Sequence, residues 1–425
     1  MNNTQNKKIT QVTDDTLIVG VDIGSERHWA RAILARGYEV SKKPFQFDNT
    51  EEGFERFVTW AYGLAAENKL KKIIIACEPT GHYWFNLYDF LKKYDVKLVL
   101  VAPQHVKHSK EMDDNTQRKD DRKDPIVIAK LVPEGRYMEP YIPEGIYAEL
   151  RAAFNRRCDL SEALTRSSNR MTRWFDVYFP EYRTVFKGSD ALSGYMVLKR
   201  APLPADVLEL GVKGICQIWR EAKLRGAGEK RAQKLVDAAT QSIGLKGGPA
   251  VRQELWQLIE ERELLDKQHS DIMALIEEIL KQIPGADRLL SVPGAGVVTV
   301  AGFLSEVGDI NRFSDPKQIQ KLAGLAVVEN SSGKRKGLPG ISRRGRSRLR
   351  WVLYLAAMSM VKHNKEMKTY HRYYTTRKKN PLKKIQSLMA IAGRIARIFY
   401  GILKNGTDYD PMIVMRDFNK EKAIA

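Results

Sequence analysis

The first third of the chain alternates short apolar runs with segments of helical spacing. The apolar runs predict buried strands and lie at residues 17–23, 73–75 and 96–101. The segments between them place apolar side chains three or four residues apart, as amphipathic helices do. Strands interleaved with helices predict a layered α/β domain over residues 15–135.

The pattern changes to helical periodicity from Ile146 onward. An apolar series with a seven-residue repeat consists of Leu258, Leu265, Ile272 and Ile279, and the interleaved series is partly polar. A repeat of seven is typical of a coiled-coil-like helix, which either packs on its own domain or contacts a second chain. We therefore expect an all-helical middle region over residues 145–284. Pro284 and Gly285 end the long helix, and a third, helical domain is expected over residues 285–410.

Composition excludes several classes of protein. Hydrophobic residues make up 43% of the 425 residues, as in globular proteins, but no apolar run approaches the roughly 20 residues that cross a bilayer. The polar N-terminus does not resemble a signal peptide, so a cytoplasmic protein without membrane contact is expected. The three cysteines are isolated from one another, which indicates neither a disulfide framework nor a zinc site.

The net charge of +20 is concentrated near the C-terminus. The segment from Gly285 to the end contains 27 basic and 10 acidic residues, and thus 17 of the 20 net charges. Such one-sided charge favours a polyanionic partner, and nucleic acid is the commonest in cells. The alternative is a basic surface that serves solubility alone.

Four carboxylates occur in an order that suggests a metal site. Asp22 lies within a predicted strand, Glu78 follows another, and Asp121 and Asp124 lie three residues apart before a predicted helix. Carboxylates that converge from strand ends and an adjoining helix are suitable ligands for Mg²⁺. This order is typical of the ribonuclease-H-like layout of Holliday-junction resolvases and many transposases. The alternative for each acid is a solvated surface position.

The segment Asp22-Ile-Gly-Ser also resembles the first phosphate loop of sugar kinases and actin-like ATPases. Their fold contains a second Asp-x-Gly loop in a duplicated half. The sequence has the Asp-x-Gly pattern only once, which disfavours this class.

The C-terminal third contains a glycine-rich turn and a serine-bearing loop. Val292-Pro293-Gly294-Ala295-Gly296 before an apolar helix resembles the hairpin of a helix-hairpin-helix element, in which backbone N–H groups approach a phosphate. The alternative is an ordinary turn. Ser332 precedes Gly333, and on spacing alone such a serine is more often a turn residue than a nucleophile.

The segment from residue 334 to residue 350 contains eight basic residues and no acid, and can neutralise several phosphates. These candidate nucleic-acid-binding residues are Lys334, Arg335, Lys336, Arg343, Arg344, Arg346, Arg348 and Arg350.

The ordered set of motifs resembles the DEDD transposases of the insertion sequence one-hundred-and-ten family. The resemblance covers residues 15–135 and 285–355. The motifs that carry it are Asp22-Ile-Gly-Ser, Glu78-Pro79-Thr80-Gly81-His82-Tyr83-Trp84, Lys119-Asp120-Asp121-Arg122-Lys123-Asp124, Val292-Pro293-Gly294-Ala295-Gly296, Ala323-Gly324-Leu325, Ser331-Ser332-Gly333 and Ile341-Ser342-Arg343-Arg344-Gly345.

This resemblance implies a RuvC-like N-terminal domain that binds Mg²⁺ and a C-terminal transposase domain whose Ser332 attacks a DNA phosphate. The implied metal ligands are Asp22, Glu78, Asp121 and Asp124. Family members form homo-oligomers, which implies a dimer or tetramer here, with the two domains assembled into a composite site. They also use a bridge RNA to select donor and target DNA, and would associate with the nucleoid when acting.

Two departures from the family pattern leave alternatives open. The acidic motif usually reads Lys-Thr-Asp-x-x-Asp-Ala, but Asp120 replaces the threonine and Pro125 replaces the alanine. Because proline favours the first position of a helix, Asp124 is expected to cap the helix, and Asp120 becomes an alternative ligand. Val328 or a neighbour replaces a common proline, so Ser331 is the alternative to Ser332.

Three functions are consistent with these features. The first is a recombinase with covalent serine chemistry. The second is a metal-dependent nuclease or Holliday-junction resolvase that hydrolyses DNA with the carboxylates alone, and the third is a non-catalytic nucleic-acid-binding protein. A covalent protein–DNA adduct distinguishes the first function, and Mg²⁺-dependent nicking separates the second from the third.

Overall fold

The computed structural model describes residues 3–113, 124–186, 192–224, 228–328, 331–332, 335–336 and 340–424. The chain divides into two compact units, residues 1–142 and 143–425. Within the described ranges, no helix combines the length and apolar character that a membrane crossing requires.

The first unit is a mixed α/β structure. Its elements in chain order are α1 (Asn3–Ile9), β1 (Thr16–Asp22), β2 (Arg27–Leu34), β3 (Phe45–Asp48), α2 (Glu51–Glu67), β4 (Lys72–Cys77), α3 (Trp84–Leu91), β5 (Lys97–Val101), α4 (Pro103–Asp113), α5 (Asp124–Lys130) and β6 (Tyr137–Met138).

The described strands of this unit form one six-stranded sheet in the order β3-β2-β1-β4-β5-β6. Strands β1, β4 and β5 are parallel, while β2, β3 and β6 run antiparallel to their neighbours. Alternate residues of β1 enter different cores: Val19 packs in the same cluster as Phe57 of α2, and Ile18 in the same cluster as Ile128 of α5. Burial on both faces explains why the strand is a continuous apolar run.

The second unit is largely helical. Its first elements are α6 (Gly145–Tyr178), α7 (Tyr182–Val185), α8 (Leu192–Leu198), α9 (Pro204–Glu221), α10 (Glu229–Thr240), α11 (Pro249–Lys281), α12 (Ala286–Leu290), α13 (Val297–Val307), a 3₁₀ turn (Ile310–Arg312) and α14 (Pro316–Leu322). The described residues that follow include the two-residue strands β7 (Val327–Val328), β8 (Ser331–Ser332), β9 (Arg335–Lys336) and β10 (Gly340–Ile341). The last elements are α15 (Ser347–His363), α16 (Lys365–Thr376), α17 (Lys384–Asn405) and α18 (Pro411–Ile424).

Helices α6 and α11 form a long antiparallel pair. Arg156 bonds Gln268 at 3.0 Å, and further along α6 Arg170 bonds Glu261 at 3.1 Å. Of the predicted seven-residue series on α11, only its first and last members are buried, and the two between them are partly exposed. The two ends of this series therefore pack within the unit, and both interpretations of the repeat remain predictions.

Helix α13 lies at the centre of the C-terminal core. Its residues from Thr299 to Val307 are all buried. A Cβ atom on Gly302 would lie 2.6 Å from the ring of Phe154 on α6 and 2.7 Å from Val352 on α15, so only glycine allows these three helices to approach so closely. The predictions of an α/β domain at the start of the chain and of a mostly helical remainder are confirmed.

Candidate functional site

Two candidate carboxylates lie at the same edge of the sheet. Asp22 is the last residue of β1, and Glu78 follows the last residue of β4. These strands are parallel neighbours, and Val21 is paired with Cys77. Asp22 and Glu78 are thus the next residues in register, and both are partly buried. Adjacent strands are about 4.8 Å apart, so the register brings the two acids together at the carboxyl ends of the strands.

The loop after Asp22 is held by side chains that the sequence analysis did not select. The backbone N–H of Gly24 donates to Nδ1 of His28 at 3.2 Å. Asn49 donates from its side chain to the carbonyl of Ser25 at 3.0 Å. His28 is fully buried, and burial lowers the pKa of its imidazole, opposed by Asn49 and the nearby Asp48. A neutral His28 therefore fixes the turn beside the first carboxylate.

Asp124 reaches the sheet because α5 lies directly against β1. The helix begins at Asp124, followed by Pro125. A Cβ atom on Gly20 of β1 would lie 1.8 Å from the carbonyl oxygen of Pro125 and 2.8 Å from the backbone nitrogen of Ala129. Glycine is costly inside a strand, and here its missing side chain is the space that the helix backbone occupies. Gly20 thus sets the position of Asp124.

A lysine lies among these acids. Lys110 of α4 pairs with Asp124 at 2.5 Å, and Asp124 is largely buried. Burial raises the pKa of Glu78, Asp124 raises it further, and Lys110 opposes both effects. Glu78, Asp124 and Lys110 therefore lie within electrostatic range of one another, and the lysine offsets part of the repulsion between the two acids.

The remaining predicted ligand cannot be assigned a position. Asp121 and its alternative, Asp120, lie outside the described residues. Within the described ranges, no group of three or more histidine, cysteine or acidic residues has a geometry that could hold a metal ion. The described part of the site therefore consists of the Asp22–Glu78 edge and the Glu78–Asp124–Lys110 cluster.

Ser332 lies on a short hairpin of the second unit. Strand β8 pairs antiparallel with β9, so that Ser331 is opposite Lys336 and Ser332 is opposite Arg335. Gly333 and Lys334, which connect the two strands, lie outside the described residues. The pairing brings both serines next to basic positions of the chain, and Ser332 belongs to the pair nearer the turn.

Backbone hydrogen bonds hold the segments on either side of this hairpin together. The amide of Ser342 donates to the carbonyl of Ala326 at 2.9 Å, and that of Arg343 to Gly324 at 3.0 Å. Arg350 of α15 donates to the carbonyls of Ala323 at 3.0 Å and Arg343 at 3.2 Å. Arg350 thus clamps both segments, which connects the hairpin to the helical core.

The candidate nucleic-acid-binding arginines fall into two groups. Arg343 and Arg344 are exposed. Arg346 donates at 2.8 Å to the carbonyl of Glu306, a residue at the buried end of α13, and lies 3.3 Å from its carboxylate. Arg348 donates to Asn155 of α6. The first group is available to a partner, whereas Arg346, Arg348 and Arg350 also have partners inside the fold. Lys334 lies outside the described residues.

The glycine-rich turn at residues 292–296 connects α12 to α13. Gly294 has a φ of +89°, and a Cβ atom there would lie 2.8 Å from the Cα of Met360. This glycine is therefore required both for the turn and for packing against α15. A Cβ atom on Gly296, at the N-cap of α13, would meet nothing within 4 Å.

Comparison with known proteins identifies the class to which these features belong. A family model of DEDD transposases of the IS110 type matches residues 19–180, and a model described as transposase of the IS116/IS110/IS902 family matches residues 286–372. Together the two models cover more than half of the chain.

Similar proteins occur in several bacterial insertion elements. The 44.8 kDa protein of insertion element IS116 from Streptomyces clavuligerus is 26% identical over 398 residues, which is 93% of this chain and 97% of that protein. The transposase for insertion sequence element IS1111A from Coxiella burnetii is 24% identical over 345 residues, which is 80% of this chain and 81% of that transposase. The protein is a DNA transposase. It belongs to the IS110 family of DEDD transposases.

Proposed function

We propose that this transposase cuts and rejoins the DNA of an insertion sequence with a Mg²⁺-binding carboxylate site in the first unit and Ser332 in the second. The observation that carries the proposal is the shared sheet edge at which Asp22 and Glu78 are in register and Glu78 lies near Asp124. We infer that this unit is RuvC-like, because that fold uses carboxylates at the ends of central strands for the same chemistry.

The carboxylates would hold Mg²⁺, with Asp22, Glu78 and Asp124 from the described residues and Asp121, or in its place Asp120, as the further ligand. An all-carboxylate donor set suits this hard cation. The raised pKa of Glu78 is the expected property of a buried acid beside another acid, and bound cations stabilise such pairs. Bound Mg²⁺ would stabilise negative charge on the attacking and leaving oxygens of the phosphodiester.

Ser332 would act as the nucleophile. Its Oγ gives up its proton and forms a bond to the DNA phosphorus while the P–O bond to the leaving deoxyribose oxygen breaks. That oxygen takes up a proton, so no proton is gained or lost overall. The phosphoserine ester conserves the energy of the phosphodiester, so attack by another DNA hydroxyl on the same phosphorus rejoins strands and releases the serine. Lys334, Arg335 and Lys336 would balance charge on the transferring phosphate.

The serine chemistry is tested by trapping the adduct. Wild-type protein incubated with Mg²⁺, guide RNA and labelled element DNA should give a covalent protein–DNA band on a denaturing gel. Ser332→Ala should abolish this band while binding DNA normally, and Ser331→Ala is the matched control that retains it. An adduct that maps to Ser331 would refute the assignment. Nicking without any adduct would instead indicate the hydrolytic nuclease or resolvase.

The carboxylates are tested by amide substitutions that keep shape and remove charge. Asp22→Asn, Glu78→Gln and Asp121→Asn should each abolish cleavage and leave the fold intact. Asp120→Asn and Asp124→Asn are compared directly in the same assay. Cleavage that survives Asp124→Asn but not Asp120→Asn would assign the fourth ligand to Asp120.

We further propose that a bridge RNA selects donor and target DNA, that the helix-hairpin-helix-like turn before α13 contacts a phosphate, and that a dimer or tetramer assembles the composite site. Wild-type protein should then copurify with an RNA whose digestion stops recombination. Mixed oligomers of Asp22→Asn and Ser332→Ala chains should recover activity if the acids and the serine of one site come from different chains. No recovery would indicate that one chain supplies both.

A further inference from the structure

A groove between α6 and α15 is not explained by the proposed chemistry. Its volume is about 640 Å³, and Trp351 is among the residues that line it. Trp351 is 43% exposed, although its neighbours Leu349 and Val352 on α15 are buried in the core. An exposed aromatic ring in an apolar groove that is rimmed by polar side chains is a common mark of a binding surface.

The lining of the groove is also rich in cations. Arg157 and Arg166 of α6 and Arg348 of α15 line it together with one acid, Glu162. Glu162 lies 3.9 Å from Arg166, an exposed pair that neutralises one positive charge. The groove therefore retains a net positive charge, contributed by Arg157 and Arg348.

These two arginines converge within the groove. Both oppose the effect of burial on the pKa of the Cys158 thiol, which places both guanidinium groups near the same sulfur. Arg348 donates to Asn155, and Arg157 makes a side-chain hydrogen bond at the Cys158 thiol. A guanidinium has five N–H donors, so the pair retains donors for an anion.

The first turn of α15, which contains Arg348, adds further positive potential to the groove. Ser347 and Arg348 are the first two residues of this 17-residue helix and both line the groove. Arg346, at the N-cap, makes no side-chain capping bond. Helix N-termini carry partial positive charge and free backbone N–H groups, which suit a phosphate.

We propose that this groove binds an unpaired nucleotide of a nucleic-acid strand, with its base stacked on Trp351 and its phosphate held by Arg348 and Arg157. The proposal rests on the proposed function in that it takes nucleic acid as the partner. An aromatic face beside guanidinium groups is the combination that single-stranded nucleic acid requires, whereas the bases of a duplex are already stacked on one another. The same chemistry suits RNA and single-stranded DNA.

Binding is measured with full-length protein and fluorescent 20-nucleotide probes of single-stranded RNA, single-stranded DNA and duplex DNA. Trp351→Ala should weaken binding of a single-stranded probe by about 5- to 150-fold, the usual range for the loss of one stacked base. Trp351→Phe should recover most of it, because phenylalanine retains a stacking face. Tyr62→Ala, which removes an exposed aromatic of similar exposure, 40%, from α2, is the matched control and should change nothing.

Two further measurements separate the contribution of base stacking on Trp351 from that of the phosphate contact of Arg348. Trp351→Ala should leave the salt dependence unchanged, whereas Arg348→Gln should reduce its log–log slope by about 0.7. Asn155→Ala removes the internal partner of Arg348 without removing charge, and should keep the wild-type slope.

The probe that responds to Trp351→Ala identifies the strand as RNA or DNA. Single-strand binding by Trp351→Ala equal to that of wild type would overturn the groove proposal and leave the proposed function standing. A loss confined to the duplex probe would also overturn it. A wild-type protein that binds none of the probes would also overturn the groove proposal, while the proposed function is decided separately by the adduct assay.

Discussion

Gly20→Ala tests how the acidic site is assembled. The added Cβ would lie 1.8 Å from the carbonyl oxygen of Pro125, and real Cβ contacts essentially never fall below 3.0 Å, so α5 must retreat by at least 1.2 Å. Overpacking of this kind costs about 1–3 kcal/mol. A displacement of about 1 Å in a catalytic group lowers rates by about 100-fold. Because α5 begins with Asp124, we expect cleavage to fall by that factor although no candidate catalytic residue is changed.

The assay compares Mg²⁺-dependent cleavage of element DNA with urea denaturation of the same samples. Gly63→Ala is the matched control: a Cβ on this exposed glycine of α2 would meet nothing within 4 Å. It should stabilise the protein by about 1 kcal/mol and leave cleavage unchanged, because alanine is the better helix former. Wild-type cleavage and unchanged stability in Gly20→Ala would refute the close approach of α5 to β1.

Four other variants test the second unit and the loop after Asp22. The double variant Arg343→Gln/Arg344→Gln should weaken DNA binding and lower its salt slope by up to about two units without loss of stability. Arg346→Gln should instead destabilise the protein by about 1–3 kcal/mol in urea denaturation, because it removes the charged donor from the buried carboxylate of Glu306 and leaves the carbonyl of Glu306 with Arg151 as its donor. Arg350→Gln should lower adduct formation more than DNA binding, and equal losses of both would argue against its role as a clamp. Since burial lowers the pKa of His28 in the fold, the unfolded state binds more protons below about pH 6.5. Stability should then fall between pH 7 and pH 5 in wild type, and less so in His28→Gln.

The central strands and the acids at their ends were predictable from sequence because the signals are local. The apolar run that ends at Asp22 and the run before Glu78 require buried strands, and parallel strands bring their carboxyl ends to one edge. The same local signals identified the long helices. The helix start at Asp124 was also predicted, because the following Pro125 favours the first turn of a helix.

The contacts that position these groups could not be predicted, because their partners are distant in the chain. Lys110 has the appearance of a solvated helix residue, and its ion pair with Asp124 depends on how α4 and α5 cross. Arg346 and Arg344 belong to one basic run, yet only Arg346 reaches the carbonyl of Glu306, 40 residues earlier. Gly20 did leave a signal: a glycine in the middle of a buried strand indicates that another backbone comes close.

The paired helices α6 and α11 also have a mechanical consequence. Each spans two hydrophobic clusters, one around Trp174 and Leu255 and the other around Phe154 and Ile279. A helix of 34 residues is about 51 Å long, so a tilt of 10° about one end moves the other by about 9 Å. The two helices therefore connect the two clusters mechanically. A partner that shifts the cluster around Trp174 would displace the core in which α13 and α15 are packed.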